Sequence, residues 1–178
     1  MSLYLIDILN EVTEKTRLKL QLGSLTYVFG PMSEIVAKLA QLASNATTAE
    51  TLYPIVAVVS DIEEKKGEKP ELDSHVTLPA VLFACTTLRE WNAEDRYVNS
   101  FKVTLQPIYE EWMKQLSMHP NVVVEDRALI KHSKTDRLYW GKSGLWVNGG
   151  QAVELLDCIE VNSVDMWTKN VCKTFKNL

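Results

Sequence analysis

Cysteine is scarce in this chain. The three present, Cys85, Cys158 and Cys172, are far apart and odd in number, which argues against a disulfide framework. Cys85 and Cys158 lie in apolar runs without electropositive neighbours, so they read as small buried hydrophobes rather than reactive thiolates. Histidine is equally sparse. His75, His119 and His132 have no second His or Cys at metal-ligand spacing, and a structural zinc site needs about four ligands. No apolar run reaches the roughly 20 residues that span a bilayer. The N-terminal "MSLYLIDILNEVTEK" has no basic leading segment and is interrupted by Asp7, unlike a signal peptide. The expected address is therefore the cytoplasm or a particle assembled there, with no membrane contact. Neither sign of charge dominates: 19 basic against 23 acidic residues give a formal net charge of −4. Long-range attraction of the whole chain to nucleic acid is not expected from that balance.

The recurring catalytic and binding motifs fail on single residues. "WGKSG", Trp140 to Gly144, has the Gly-Lys-Ser of a phosphate loop, but the position that needs the first glycine is Asp136, whose carboxylate would repel phosphate. Counted from Asp61 as a calcium loop, Gly67 falls at position seven and Leu72 at twelve, where the loop needs Gly at six and Glu at twelve. "HSKTD" holds Ser133 and Asp136 beside His132, without the glycine-flanked turn of a hydrolase nucleophile. Adjacent carboxylates such as Glu110 and Glu111 point to different faces of a helix. No cofactor, no metal and no catalytic residue is expected, and the chain reads as non-enzymatic.

What the chain does contain is ordinary globular composition, 46% apolar and 24% charged, in 178 residues, enough for one domain with a core. Leu3 to Leu22 reads as a helix ended by Gly23. Leu25 to Phe29 reads as a strand and Ser33 to Ser44 as a second helix. Tyr53 to Ser60 and His75 to Thr87 read as strands. Pro79 places the second of these at a sheet edge or at a bulge. Tyr97, Phe101, Leu105, Ile108, Trp112 and Leu116 make the stripe of a long helix that Pro107 should kink or divide. Strands follow within Asn121 to Lys134, and a long one within "AVELLDCIEVNSVDMW". The predicted class is α+β: a small antiparallel-rich sheet flanked by an N-terminal helix and a long Pro-kinked helix. Residues 1–178 read as a single domain with a loosely packed tail from about 168.

Two features stand apart from a core. Between Asp61 and Ser74 lie six acidic and three basic residues, a formal charge of −3. Tryptophans 91, 140, 146 and 167 fall in loops or at element ends, where aromatics suit protein–protein contacts as well as satellite packing. The candidate interface comprises Asp61, Glu63, Glu64, Lys65, Lys66, Glu68 and Lys69, with Trp140, Lys142 and Trp146 from the glycine- and aromatic-rich segment Tyr139 to Gly150.

The order of segments carries a resemblance. An N-terminal helix leads to "LTYVFG"; "YPIVAVVSD" starts on Tyr-Pro; a charged connector precedes a second long strand; "FKVTLQPIYEEWMKQL" and "VELLDCIEVNSVD" complete the pattern. Over about Leu3 to Asp165 this is similar to the tail-terminator and head–tail joining proteins of tailed phages, and more narrowly to small virion proteins of phages infecting Bacteroidetes, including the crAss-like group. The resemblance implies a structural virion protein that forms a homo-oligomeric ring in the phage neck or tail. Its neighbours would be portal, adaptor or tail-tube proteins, and genomic DNA would pass nearby without sequence-specific binding. The alternatives are a small enzyme using scattered residues such as His132, Asp136 and Lys142, or a monomeric adaptor module.

Overall fold

A computed structural model of the protein describes residues 3–44, 51–66, 72–123, 130–138 and 155–169. Helix α1, Leu3–Lys19, is followed by strand β1, Thr26–Gly30, and helix α2, Met32–Ser44. Strands β2, Ile55–Val59, β3, Glu63–Lys66, and β4, Leu72–Thr86, come next. A continuous helical path then runs through a short α3, Ala93–Arg96, a π-helix, Tyr97–Leu105, and α4, Gln106–Ser117. Strands β5, Val122–Val123, β6, Lys131–Arg137, and β7, Leu156–Lys169, complete the order.

The class is α+β, as the pattern of elements implied. The sheet is mixed rather than purely antiparallel, because β1 pairs with β2 in parallel. Its order is β1-β2-β4-β7-β5, with β3 also on β4 and β6 also on β7. Strand β7 runs along the whole of β4. Hence β2 and β3 share the opposite flank of β4, and β5 and β6 share the far flank of β7.

Period-2 alternation divides the central residues between two cores. Val56, Val58, Val81, Phe83, Cys85, Ile159 and Val161 face α1, the π-helix and α4. Ile55, Ala57, Leu82, Ala84, Leu156 and Cys158 face α2. Pro79 sits in an interior strand, at an irregularity. The β4–β7 ladder passes from Leu78↔Val164 to Ala80↔Asn162 without a Pro79 pair, and the β3 and β2 ladders stop on either side of it, at Thr77 and Val81. Opposite lies Ser163 in the left-handed region, with φ 55°. Leu78 and Val81 are both buried while Pro79 and Ala80 are half-buried; Val161 and Val164 are both buried while Asn162 and Ser163 turn outward. Each strand thus spends two successive residues outside. The register is kept, and the outer part of the ribbon still turns Val76, Leu78, Val164 and Met166 toward the helices.

The long helix differs from its expected stripe. Arg96 is fully buried, whereas Tyr97 is 60% exposed and lies outside the stripe. Pro107 divides the helix by a change of winding. The Gln106 N–H donates to the Phe101 carbonyl, five residues back, and Pro107 falls in the first turn of α4, where its missing N–H removes one bond from the continuous helical path. The wider π winding ahead of it relieves the clash its ring would make one turn back. At the C-terminus, β7 continues through Lys169 with Thr168 buried. Packed structure therefore extends past 168, and the rest of the expected loose tail, 170–178, lies outside the described residues.

Burial settles the thiol chemistry of the two strand cysteines. Desolvation pushes the Cys85 thiol up to about 12, and burial raises Cys158 further still. The thiolate is the reactive form. Native protein treated with a maleimide between pH 7 and 9 is therefore expected to stay unlabelled at both, with rapid labelling in denaturant. Peptide mapping of the alkylated protein checks this; native labelling at either position that rises with pH would contradict it.

Candidate interaction surface

The described residues of the charged connector are mostly strand. Expected as a loop from Asp61 to Ser74, they instead form β3 and the start of β4, paired Glu63↔Thr77, Glu64↔Val76, Lys65↔His75 and Lys66↔Ser74. The ladder to β4 holds this charged sequence extended. Alternation then sorts its side chains. Glu64 turns to the helix side, where its carboxylate accepts from the Ser74 hydroxyl at 2.6 Å. Glu63 and Lys65 share the other face and form an exposed ion pair at 2.9 Å; Glu63 raises the Lys65 pKa, chiefly through their hydrogen bond. Asp61 is exposed just ahead of β3. Lys66 belongs to the strand. Glu68, Lys69, Trp140, Lys142 and Trp146 lie outside the described residues.

Across the same face the registers line up two transverse rows. One runs Lys65, His75, Trp167, Val123 through β3, β4, β7 and β5. The other runs Glu63, Thr77, Asp165, Lys131 through β3, β4, β7 and β6. His75 and Trp167 pack with ring centroids 5.0 Å apart at 57°. The Thr77 hydroxyl donates to Asp165 at 2.6 Å. None of these side chains belongs to either core, and all but Val123 are polar, charged or aromatic with a polar atom. Helix α2 packs on β1 and β2, at the other end of this face. The surface is thus a two-row patch with cations at opposite corners and an aromatic pair in the middle. Such a mix suits a protein partner, with an aromatic anchor and a charged rim.

Of the alternative enzymatic residues, His132 and Asp136 are engaged structurally. The His132 ring takes a Tyr109 hydroxyl contact at 2.6 Å on Nε2 and a 2.5 Å contact from Nδ1 to the Ile130 carbonyl. Nδ1–H donates to that carbonyl, so Nε2 accepts from Tyr109, and edge strand β6 is pinned to α4. Asp136 pairs with Lys134 at 2.5 Å. Among the described residues no group of three or more His, Cys, Asp or Glu is placed to hold a metal ion, and no helix is long and apolar enough to cross a membrane.

Sequence reading found β3's residues and missed the rest of the patch. His75, Thr77, Asp165 and Lys131 are separated by up to ninety positions, and only the strand registers unite them. Trp167 carried a signal, as an aromatic near an element end. Known protein families, curated proteins and solved structures offer no match to this chain.

Proposed function

We propose that the protein is a non-enzymatic assembly subunit, a structural virion component that forms a ring in a phage neck or tail by packing against copies of itself and against neighbouring portal, adaptor or tail proteins. The two-row patch carries this reading. It supplies paired charges of both signs around a central Trp–His pair, on the part of a sheet face that lies outside both cores. Charge mixtures of this kind steer and orient partners, and the half-buried Trp167 offers the aromatic anchor on which binding energy concentrates. The segment order that resembles head–tail joining proteins supplies the class of partner. In such a particle the described acidic side chains Asp61, Glu63 and Glu64 would either pair with basic groups on a neighbour or face passing DNA without retaining it.

Lys65→Glu tests the patch. Lys65 is 71% exposed, so its unfolding midpoint is expected to match wild type. Incorporation into particles should fall about tenfold or more, since a like-charge contact replaces an attractive one. Quantitative mass spectrometry of purified particles reads the result. Wild-type incorporation of Lys65→Glu, or absence of the chain from particles, would overturn the proposal.

A further inference from the structure

We infer that copies of this chain join edge to edge, β1 of one against β6 of the next, in an antiparallel register that pairs Val28 with Ser133. The inference deepens the assembly reading and rests on it. Among the described residues β1 pairs only with β2, and β6 only with β7. Among those residues each therefore presents one row of backbone donors and acceptors, the usual template for strand addition.

Direction is settled by the pairings. Strand β1 runs with β2, β2 against β4, β4 against β7, and β7 against β6. Strands β1 and β6 are thus antiparallel, and identical copies set side by side in one orientation bring them together antiparallel. The contact is heterologous, of the kind that repeats around a ring.

Face matching narrows the register. In β1, Val28 faces α2, while Tyr27 and Phe29 pack toward α1. In β6, His132 turns toward Tyr109 of α4, and Lys131 and Ser133 lie across from Asp165 and Asn162 on the other face. A joined sheet keeps its faces only if Val28 meets an odd-numbered residue of β6, since a slip of one residue reverses every side chain.

Charge then selects among those registers. Strand β1 has no charge, but two exposed carboxylates flank it. Asp7 follows Ile6, whose carbonyl accepts from the Tyr27 hydroxyl at 3.5 Å. Glu34 lies at Gly30, where its Oε2 would stand 3.4 Å from an added Cβ. Pairing Val28 with Ser133 sets Lys134 opposite Tyr27 on the Asp7 side, and Lys131 opposite Gly30 on the Glu34 side. Pairing Val28 with Thr135 instead brings Asp136 to Asp7. Homotypic joints are worse. Joining β6 to β6 about Lys134 stacks Lys134 on Lys134 and Lys131 on Arg137, and joining β1 to β1 gathers two Asp7 and two Glu34 along one seam to which β1 itself supplies no cation. Like charges directly opposite are destabilising.

The test is disulfide trapping in the full chain with Cys172→Ser. Thr26 and Thr135 become direct neighbours across the joint, while within one chain they sit on opposite edges, several strands of about 4.8 Å apart. Thr26→Cys with Thr135→Cys is expected to give a ladder of covalent multimers on oxidation, and Thr26→Cys with Lys134→Cys or Arg137→Cys little. Separately, Glu34→Lys should weaken self-association about tenfold by sedimentation, and adding Lys131→Glu should restore it. Equal trapping by all pairs, no trapping, or no rescue would overturn the edge joint. Multimers that form without it would leave the assembly reading standing, whereas a particle-free chain that still forms the ladder would remove the virion role and keep the joint.

Discussion

Arg96→Ala is expected to cost the fold about 3–5 kcal/mol, the usual consequence of stripping one partner from a buried ion pair. Both side chains of the Arg96–Asp157 pair are 0% exposed, with Nη1 3.3 Å from Asp157 Oδ1. The guanidinium also donates from Nη1 to the Thr87 hydroxyl at 2.7 Å, from Nε to the Trp91 carbonyl at 3.1 Å and from Nη2 to the Leu88 carbonyl at 2.5 Å. One cation therefore ties the end of β4, the turn after it and β7 to the base of the π-helix. Truncation leaves the Asp157 carboxylate desolvated beside Cys85, its ladder partner, and leaves two carbonyls without this donor. Against a total stability of about 5–15 kcal/mol, the loss is a large fraction of the margin. Urea unfolding should show a lower midpoint at unchanged slope. Asp157→Asn keeps the shape and an acceptor oxygen, so its cost should be about 1–3 kcal/mol. Replacing the pair together, with Arg96→Met and Asp157→Leu, should recover part of the loss, because the buried carboxylate that faced Arg96 is removed with it. Recovery should be incomplete, since the Leu88 and Trp91 carbonyls still lose their donor. A wild-type midpoint for Arg96→Ala would show that the pair holds nothing together.

That network also marks where sequence reasoning stops. Elements with an apolar rhythm were legible: α1, β1, α2, β2, β4 and β7 lie within a few residues of their expected bounds. Burial imposes that rhythm, so the residues reveal it. Arg96 breaks the rule, because a charged residue reads as surface unless its partner is visible, and Asp157 lies 61 positions away. The neighbouring Tyr97 fits the apolar spacing in its place, yet it faces solvent. Strand β3 was obscured for a related reason, and β6 was anticipated only in part, by the strands expected within Asn121 to Lys134. "EEKK" and "KHSKTDR" are exposed on almost every described side chain, so no alternation announces them, and their extended form comes from the ladders to β4 and β7. The winding of the π-helix is likewise a tertiary outcome. The two-row patch combines both difficulties: its members are individually ordinary, and only register aligns them.

Trp112→Ala should be as costly as the loss of Arg96, about 3–5 kcal/mol, for a different reason. The indole is fully buried and stands edge-on to Phe83 at 5.5 Å and 75°. Its Nε1–H donates to the Thr13 hydroxyl at 3.0 Å, and that hydroxyl donates in turn to the Leu9 carbonyl at 2.8 Å. Trp112 is thus where α1, α4 and the sheet meet. Truncation removes apolar burial from all three and opens a cavity that rigid neighbours fill only in part. Two smaller changes separate packing from hydrogen bonding. Trp112→Phe retains most of the apolar body and leaves Thr13 its bond to Leu9, so a cost of about 1–3 kcal/mol is expected. Thr13→Val is nearly isosteric but leaves the indole N–H buried without an acceptor, again about 1–3 kcal/mol. If the hydrogen bond is the shared cause, Thr13→Val should cost little once Trp112 is Phe, and a double-mutant cycle measures that coupling directly. Fully additive losses would mean that the bond contributes nothing and that the Trp112 site is held by packing alone.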